Sequence, residues 1–292
     1  MTSVSGYDPG FLAVPLPLPR PAADSPVAEL AYIHFTVLLH RTRRLAVLTG
    51  VNIDGPTLRD VDRGDDWHLD RRVPAEEQTG PEVYARNDLD RGHLVRRLDP
   101  VWGDLATAAR AEVDSFSYAN AAPQAAMFNQ GKRLWAGLED YLLGHAETYD
   151  QRLSVFTAPV LAASDPSYRG VQIPRRFFKV AAWATSTPPT LAATGYLLDQ
   201  TPQLEDVDLS TRRALTAGDP PPLGPYRTYQ VPITDIATLT ALDLGGLPAA
   251  DRLPVPAAVP SRTLRPESTV RTGRWRELRD LEDVQLRRPD PR

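Results

Sequence analysis

Cysteine is absent from the 292 residues. That excludes disulfides, thiolate nucleophiles and Cys-ligated zinc. It leaves the compartment open, since a large domain folds without disulfides in either setting. No run is long and apolar enough for a membrane span, so no membrane partner is expected. The N-terminus lacks a basic segment followed by an apolar one, so no signal peptide is read and a cytoplasmic setting is expected. A leader lost in processing would instead leave a secreted protein with this sequence. Several cofactor and nucleophile motifs are also missing: there is no G-x-G-x-x-G, P-loop, H-E-x-x-H or G-x-S-x-G. The aspartates of "RDVDRGDDWHLD" lack the full calcium-loop pattern and read as a solvated loop. The formal net charge is −4, so any contact with nucleic acid must come from a local patch.

What is present is ordinary globular composition, 42% hydrophobic and 24% charged, in a chain long enough to bury a core. The 29 prolines crowd toward the ends and between elements, as in "VPLPLPRP", "DPPPLGP" and "LPVPAAVP". They divide the chain into a proline-rich arm (1–27), a central domain (28–250) and a proline-punctuated tail (251–292). Within the domain, "YIHFTVLLHRTRRLAVLTGVNID" reads as a hairpin around a basic turn. The stretch "KRLWAGLEDYLLGHAETYDQ" reads as an amphipathic helix, with Leu134, Trp135, Leu138, Tyr141 and Leu142 on one stripe. "RLSVFTAPVL" and "FFKVAAWAT" read as strands, and "TDIATLTALDLGGLPAADRL" as a helix with a Gly-rich stop. Strands and helices mix without regular βαβ alternation, which makes the fold class α+β.

The chemistry concentrates in "ARNDLDRGHLVRR". Between 86 and 97, Arg86, Arg91, Arg96 and Arg97 face Asp88 and Asp90, a local +2 on an acidic chain. Guanidinium suits phosphate oxygens. His93 sits among them, with an unperturbed pKa suited to a general base at neutral pH. Gly92 before it allows close approach of backbone or substrate. A second cluster, "YANAAPQAAMFNQG", sets Asn120, Gln124 and Asn129 ahead of the amphipathic helix. Such amides serve as turn and cap residues, and an Asn carbonyl is also a hard ligand suited to Mg²⁺.

"DRGH" followed by "N-x-x-P-Q-x-x-x-x-N-Q-G … W-x-x-L-E" resembles the DNA/RNA non-specific endonuclease family. This is the ββα-metal or His-Me finger group. The resemblance implies a mainly antiparallel sheet flanked by helices, and Mg²⁺-dependent hydrolysis of DNA or RNA to 5′-phosphate products, with Mn²⁺ able to substitute. It implies His93 as general base, Asn129 as the direct metal ligand and Glu139 as holder of a metal-bound water. It gives Arg91 a phosphate contact and Asp90 an orienting role. Asn120 and Gln124 would shape the substrate site, with Arg96 and Arg97 binding phosphate beside them. An arginine is also expected ahead of an aromatic upstream of the motif. Arg63 is the nearest candidate to Trp67, with Arg71 and Arg72 as rivals. A homodimer and an inhibitory protein are the partners such a nuclease would have.

The spacing departs from the family pattern. Glu139 lies ten positions after Asn129, more than that pattern has. In an unbroken helix ten residues span ~15 Å, too far for shared contact with one water. Asn129 is therefore expected before the helix, with "NQGKR" looping or bulging at Gly131. The alternative function, a catalytically silent nucleic-acid-binding or interaction module, draws its support from this spacing and from the acidic net charge. His34 and His40 are expected in or beside the core, His68 at the surface, and His145 as a cation at a helix end.

Overall fold

The structure is a computed structural model that describes residues 6–126, 130–185, 188–202, 207–224, 226–253, 274–279 and 283; for 130–136 and 207 it describes backbone alone. A single antiparallel sheet of eight strands organises it, in the order β1-β2-β3-β6-β9-β10-β11-β12. The strands are β1 (Val27–Tyr32), β2 (Phe35–His40), β3 (Leu45–Asp54), β6 (Arg152–Pro159), β9 (Arg176–Ala184), β10 (Leu191–Asp199), β11 (Arg227–Val231) and β12 (Arg276–Leu278).

Both sheet faces are buried, and the period-two alternation of a strand decides which residue serves which. On β9, Phe177 and Ala181 face one core, while Phe178, Val180 and Ala182 face the other. On β6, Leu153 and Val155 oppose Phe156 and Ala158 in the same way. Two covered faces explain why these strands read as near-continuous apolar runs.

The first face is covered by a smaller unit. It comprises β4 (Leu89–His93), β5 (Ala121–Ala125) and α3 (Gln130–Thr148), with β4 and β5 paired antiparallel. The short α1 (Pro81–Tyr84) precedes β4, and α2 (Leu105–Ser115) lies in the connection between the two strands. Asp104 caps α2, its side chain accepting from Thr107 N at 2.9 Å. Leu138, Leu142 and Ala146, spaced by four, press α3 onto the sheet. Pro123 is accommodated in β5 because that strand pairs on one side with β4 alone.

The second face is covered by α5 (Ile233–Thr240) and by the N-terminal segment, whose Tyr7, Phe11, Leu12 and Leu16 are buried. The remaining strands and α-helices are the two-residue β7 (Ser167–Tyr168) and β8 (Val171–Gln172), and α4 (Val207–Ala217).

Three expectations change. "YIHFTVLLH" is not one strand: Tyr32 ends β1, and a tight turn at Ile33–His34, with His34 at φ 67°, starts β2. The region after 250 is not wholly outside the sheet, since β12 pairs with β11. Asp235 holds it there, accepting from Arg274 at 2.7 Å and from Trp275 Nε1 at 2.9 Å. Third, α3 runs unbroken from Gln130 through Gly131 to Thr148, so the bulge expected at "NQGKR" does not occur. Asn129, the expected metal ligand, and the side chain of Trp135 lie outside the described residues.

Candidate active site

His93 closes β4, opposite Ala121 of β5. The next two residues are clamped by Asn120. Leu94 N donates to Asn120 O at 2.9 Å, and Val95 N donates to Asn120 Oδ1 at 2.8 Å. The Asn120 amide nitrogen donates to Val95 O at 2.9 Å and Ser115 O at 3.0 Å. Asn120 is fully buried, so its amide serves the backbone that fixes His93. Gly92 has a steric reason. A Cβ there would fall 2.2 Å from Cδ of Gln124, whose side chain lies over the backbone of the glycine.

The imidazole stands in an aromatic wall. Trp67 lies 4.6 Å from it between ring centroids, and Phe116 meets it edge-on at 5.1 Å. Trp67 is delivered by the acidic loop, which backbone bonds stitch down: His68 N to Phe116 O at 3.1 Å and Tyr118 N to His68 O at 2.9 Å. The Arg91 guanidinium covers Trp67 at 5.1 Å. His93 Nε2 is buried without a hydrogen-bond partner. Burial, then the charges of Arg63, Arg97 and Arg91, push the His93 pKa down to about 3, against a weaker opposing pull from Asp65. The ring is therefore neutral across ordinary pH.

Around that ring the expected arginines separate into distinct roles. Arg63 is exposed and among the charges acting on His93. Its rival Arg72 is bound to Asp70 at 2.6 Å, donates to Ala31 O and lies over Tyr32, while Arg71 sits exposed in a turn. Arg91 lies 4.0 Å from the exposed Asp65. Arg97 reaches Glu112 at 3.4 Å. Arg96 turns the other way and pairs with Asp140 on α3. Asp90 stands opposite Gln124 in the β4–β5 pair.

Glu139 points at the sheet. Its Oε1 is 3.3 Å from Nζ of Lys179, which is 1% exposed and donates to Thr157 Oγ1 at 2.9 Å. Asp99, buried nearby, has its pKa pushed up to about 6 by burial and by Glu139, with Lys179 and Arg96 resisting. Sequence reading missed this group. Its one signal is that Lys179 is one of two lysines in a chain whose other fixed cations are all arginine. Phe116, Tyr118 and Glu112 were missed as well, since they look like ordinary residues of a helix and its end. Among the other histidines, His34 stacks on Trp102 at 3.4 Å. Burial pushes the His145 pKa down, against a hydrogen bond to Gln151, which weakens the helix-end cation expected there.

The site is thus a β-β-α unit with an imidazole at the end of its first strand, ringed by guanidinium groups. Residues 17–249 match the family described as DNA/RNA non-specific endonuclease. The chain belongs to that family. It is 38% identical over 258 residues to an uncharacterized protein, y4fB, of Sinorhizobium fredii, covering 81% of this chain and 38% of that protein. It is 32% identical over 127 residues to mitochondrial endonuclease G of Bos taurus, covering 39% of this chain and 40% of that protein. The chain thus spans about two fifths of the length of these curated relatives. A crystal structure titled as the EndoG/EndoGI complex and the mechanism of EndoG inhibition superposes with a TM-score of 0.53 at 17% identity. It covers 73% of this chain and 84% of the other, and it shares the fold.

Proposed function

We propose that the protein is a divalent-metal-dependent endonuclease that cleaves DNA or RNA phosphodiesters with little base specificity. The observation that carries this reading is the His93 ring at the end of β4, packed against Trp67 and Phe116 with Nε2 enclosed and with Arg63, Arg91 and Arg97 as the cations acting on it. A base must be deprotonated before it can act, and this environment keeps His93 so. With Nε2 enclosed, Nδ1 is the nitrogen left to take a proton from an attacking water. Docking of a phosphodiester on the three guanidiniums offsets the charges that depress the ring's basicity, so proton affinity rises when substrate is present. Water and phosphate then meet in line, and the product carries a 5′-phosphate.

Among the described residues no three His, Asp or Glu side chains converge as a metal site. The hard-oxygen donors beside the ββα unit suit Mg²⁺ or Mn²⁺ held mainly by water, with Asn129 as the direct ligand. Such an ion would polarise the phosphate and offset charge on the leaving 3′ oxygen. Glu139 is committed to Lys179 and lies nine residues into α3 from Gln130, ~13.5 Å along the axis. Its part is therefore to seat the helix against the sheet. Asn120 acts by fixing the segment after His93, and Gln124 by shaping the surface over Gly92. Contact with phosphates alone gives low sequence discrimination and steep salt dependence.

The test is digestion of plasmid DNA and of RNA with Mg²⁺, with and without EDTA, by wild type and His93→Ala. Cleavage that EDTA and His93→Ala each abolish supports the reading. Undiminished cleavage by His93→Ala overturns it.

A further inference from the structure

We propose that Glu112 of α2 is a positioning residue that sets the cationic rim of the site, its one carboxylate fixing both the loop that carries Arg63 and the side chain of Arg97. The inference rests on the nuclease reading only in taking phosphate as the ligand of those arginines. Glu112 is 3% exposed. Its Oε1 accepts from Gly64 N at 2.9 Å and lies 3.4 Å from Arg97 Nη1. A buried carboxylate is costly without donors, and these two come from separate stretches of chain. Gly64 directly follows Arg63, so this bond fixes the backbone from which Arg63 projects. Packing there is close: a Cβ on Gly64 would stand 3.1 Å from Glu112 Oε2. Burial apart, Arg63 and Arg97 are the two largest influences on His93, ahead of Arg91 and Asp65, which also face the ring. α2 thus acts on the base through the cations it holds, without touching substrate.

Charge and position predict opposite signs, which makes the clamp testable. Removing a negative charge alone would lower the His93 pKa and tighten anion binding. Releasing Arg63 and Arg97 would raise the pKa and weaken binding. The measurements use the full chain in EDTA: NMR titration of the His93 ring, and anisotropy of a labelled DNA duplex across a salt series. Glu112→Ala is expected to raise the His93 pKa and weaken DNA binding. The slope of log affinity against log salt should shrink by about 0.9 for each phosphate that the protein no longer neutralises. Glu112→Asp keeps the charge, shortens the reach and folds more readily; it should shift both readouts the same way, by less. Glu112→Gln keeps an acceptor for Gly64 N and should bind DNA within about twofold of wild type. A His93 pKa that is unchanged or lower in both Glu112→Ala and Glu112→Asp, with DNA binding unchanged or tighter, overturns the proposal. Wild type that binds no DNA at any salt would sink the nuclease reading instead, and the His93 titration would then decide the clamp alone.

Discussion

A Cβ on Gly92 would lie 2.2 Å from the side-chain amide carbon of Gln124, across the β4–β5 pair. The "G" of "DRGH" is therefore fixed by a neighbour on the next strand rather than by a turn. Gly92→Ala is expected to cost about 1–3 kcal/mol, the usual range for overpacking, and to displace His93 next to it. Thermal unfolding and nuclease assays measure the two effects. The double variant Gly92→Ala/Gln124→Ala should recover most of the stability, because it removes the clashing atoms. No recovery would mean that Gly92 is needed for another reason.

The depressed pKa of His93 has two consequences for pH. In its proposed role as the base, the ring must be neutral, so kcat/KM should show no histidine limb near pH 6.5 in the free protein. Its limb should fall near pH 3, or be hidden by acid unfolding. A clear limb at 6–7 that vanishes in Asp99→Asn would assign the titration to Asp99, whose pKa lies at about 6.

Stability follows from the sign of the shift. The folded state holds His93 unprotonated where the unfolded chain binds a proton, so stability falls as pH drops from about 6.5 toward 3. Asp99, shifted upward, acts in the opposite sense between about 4 and 6. Chemical denaturation of wild type and His93→Gln at several pH values isolates the histidine part. The variant should lose less stability on acidification, and equal losses would refute the assignment.

Lys179 and Glu139 form a buried pair that joins the sheet to α3. Lys179→Met leaves Glu139 facing an apolar wall and should cost about 3–5 kcal/mol. Lys179→Met/Glu139→Gln should cost clearly less, since no charge is then stranded. A double-mutant cycle by denaturant unfolding reads the coupling. Additive losses would show that the two charges do not depend on each other.

Asp235 ties the C-terminal strand to the body through Arg274 and Trp275. Asp235→Ala should release β12 from the edge of β11 and speed proteolytic cleavage near residue 274, with the His93 site unaffected. A bared sheet edge also favours association, visible by light scattering.

The sequence by itself determined much of this protein. Near-continuous apolar runs marked the strands β2, β3, β6 and β9, and four-residue spacing marked α3, whose pattern reflects local backbone geometry. The composition of "ARNDLDRGHLVRR" marked His93 and its arginines as the candidate site. Tertiary structure alone decided the rest. Arg72 is drawn away from the site because the fold brings it onto Asp70, whereas Arg63 stays among the charges acting on His93. The roles of Glu112 and Lys179 arise because buried charges must meet partners brought from distant segments. Nor could spacing alone say whether Gly131 breaks α3: glycine permits a bulge without requiring one, and here the helix continues through it.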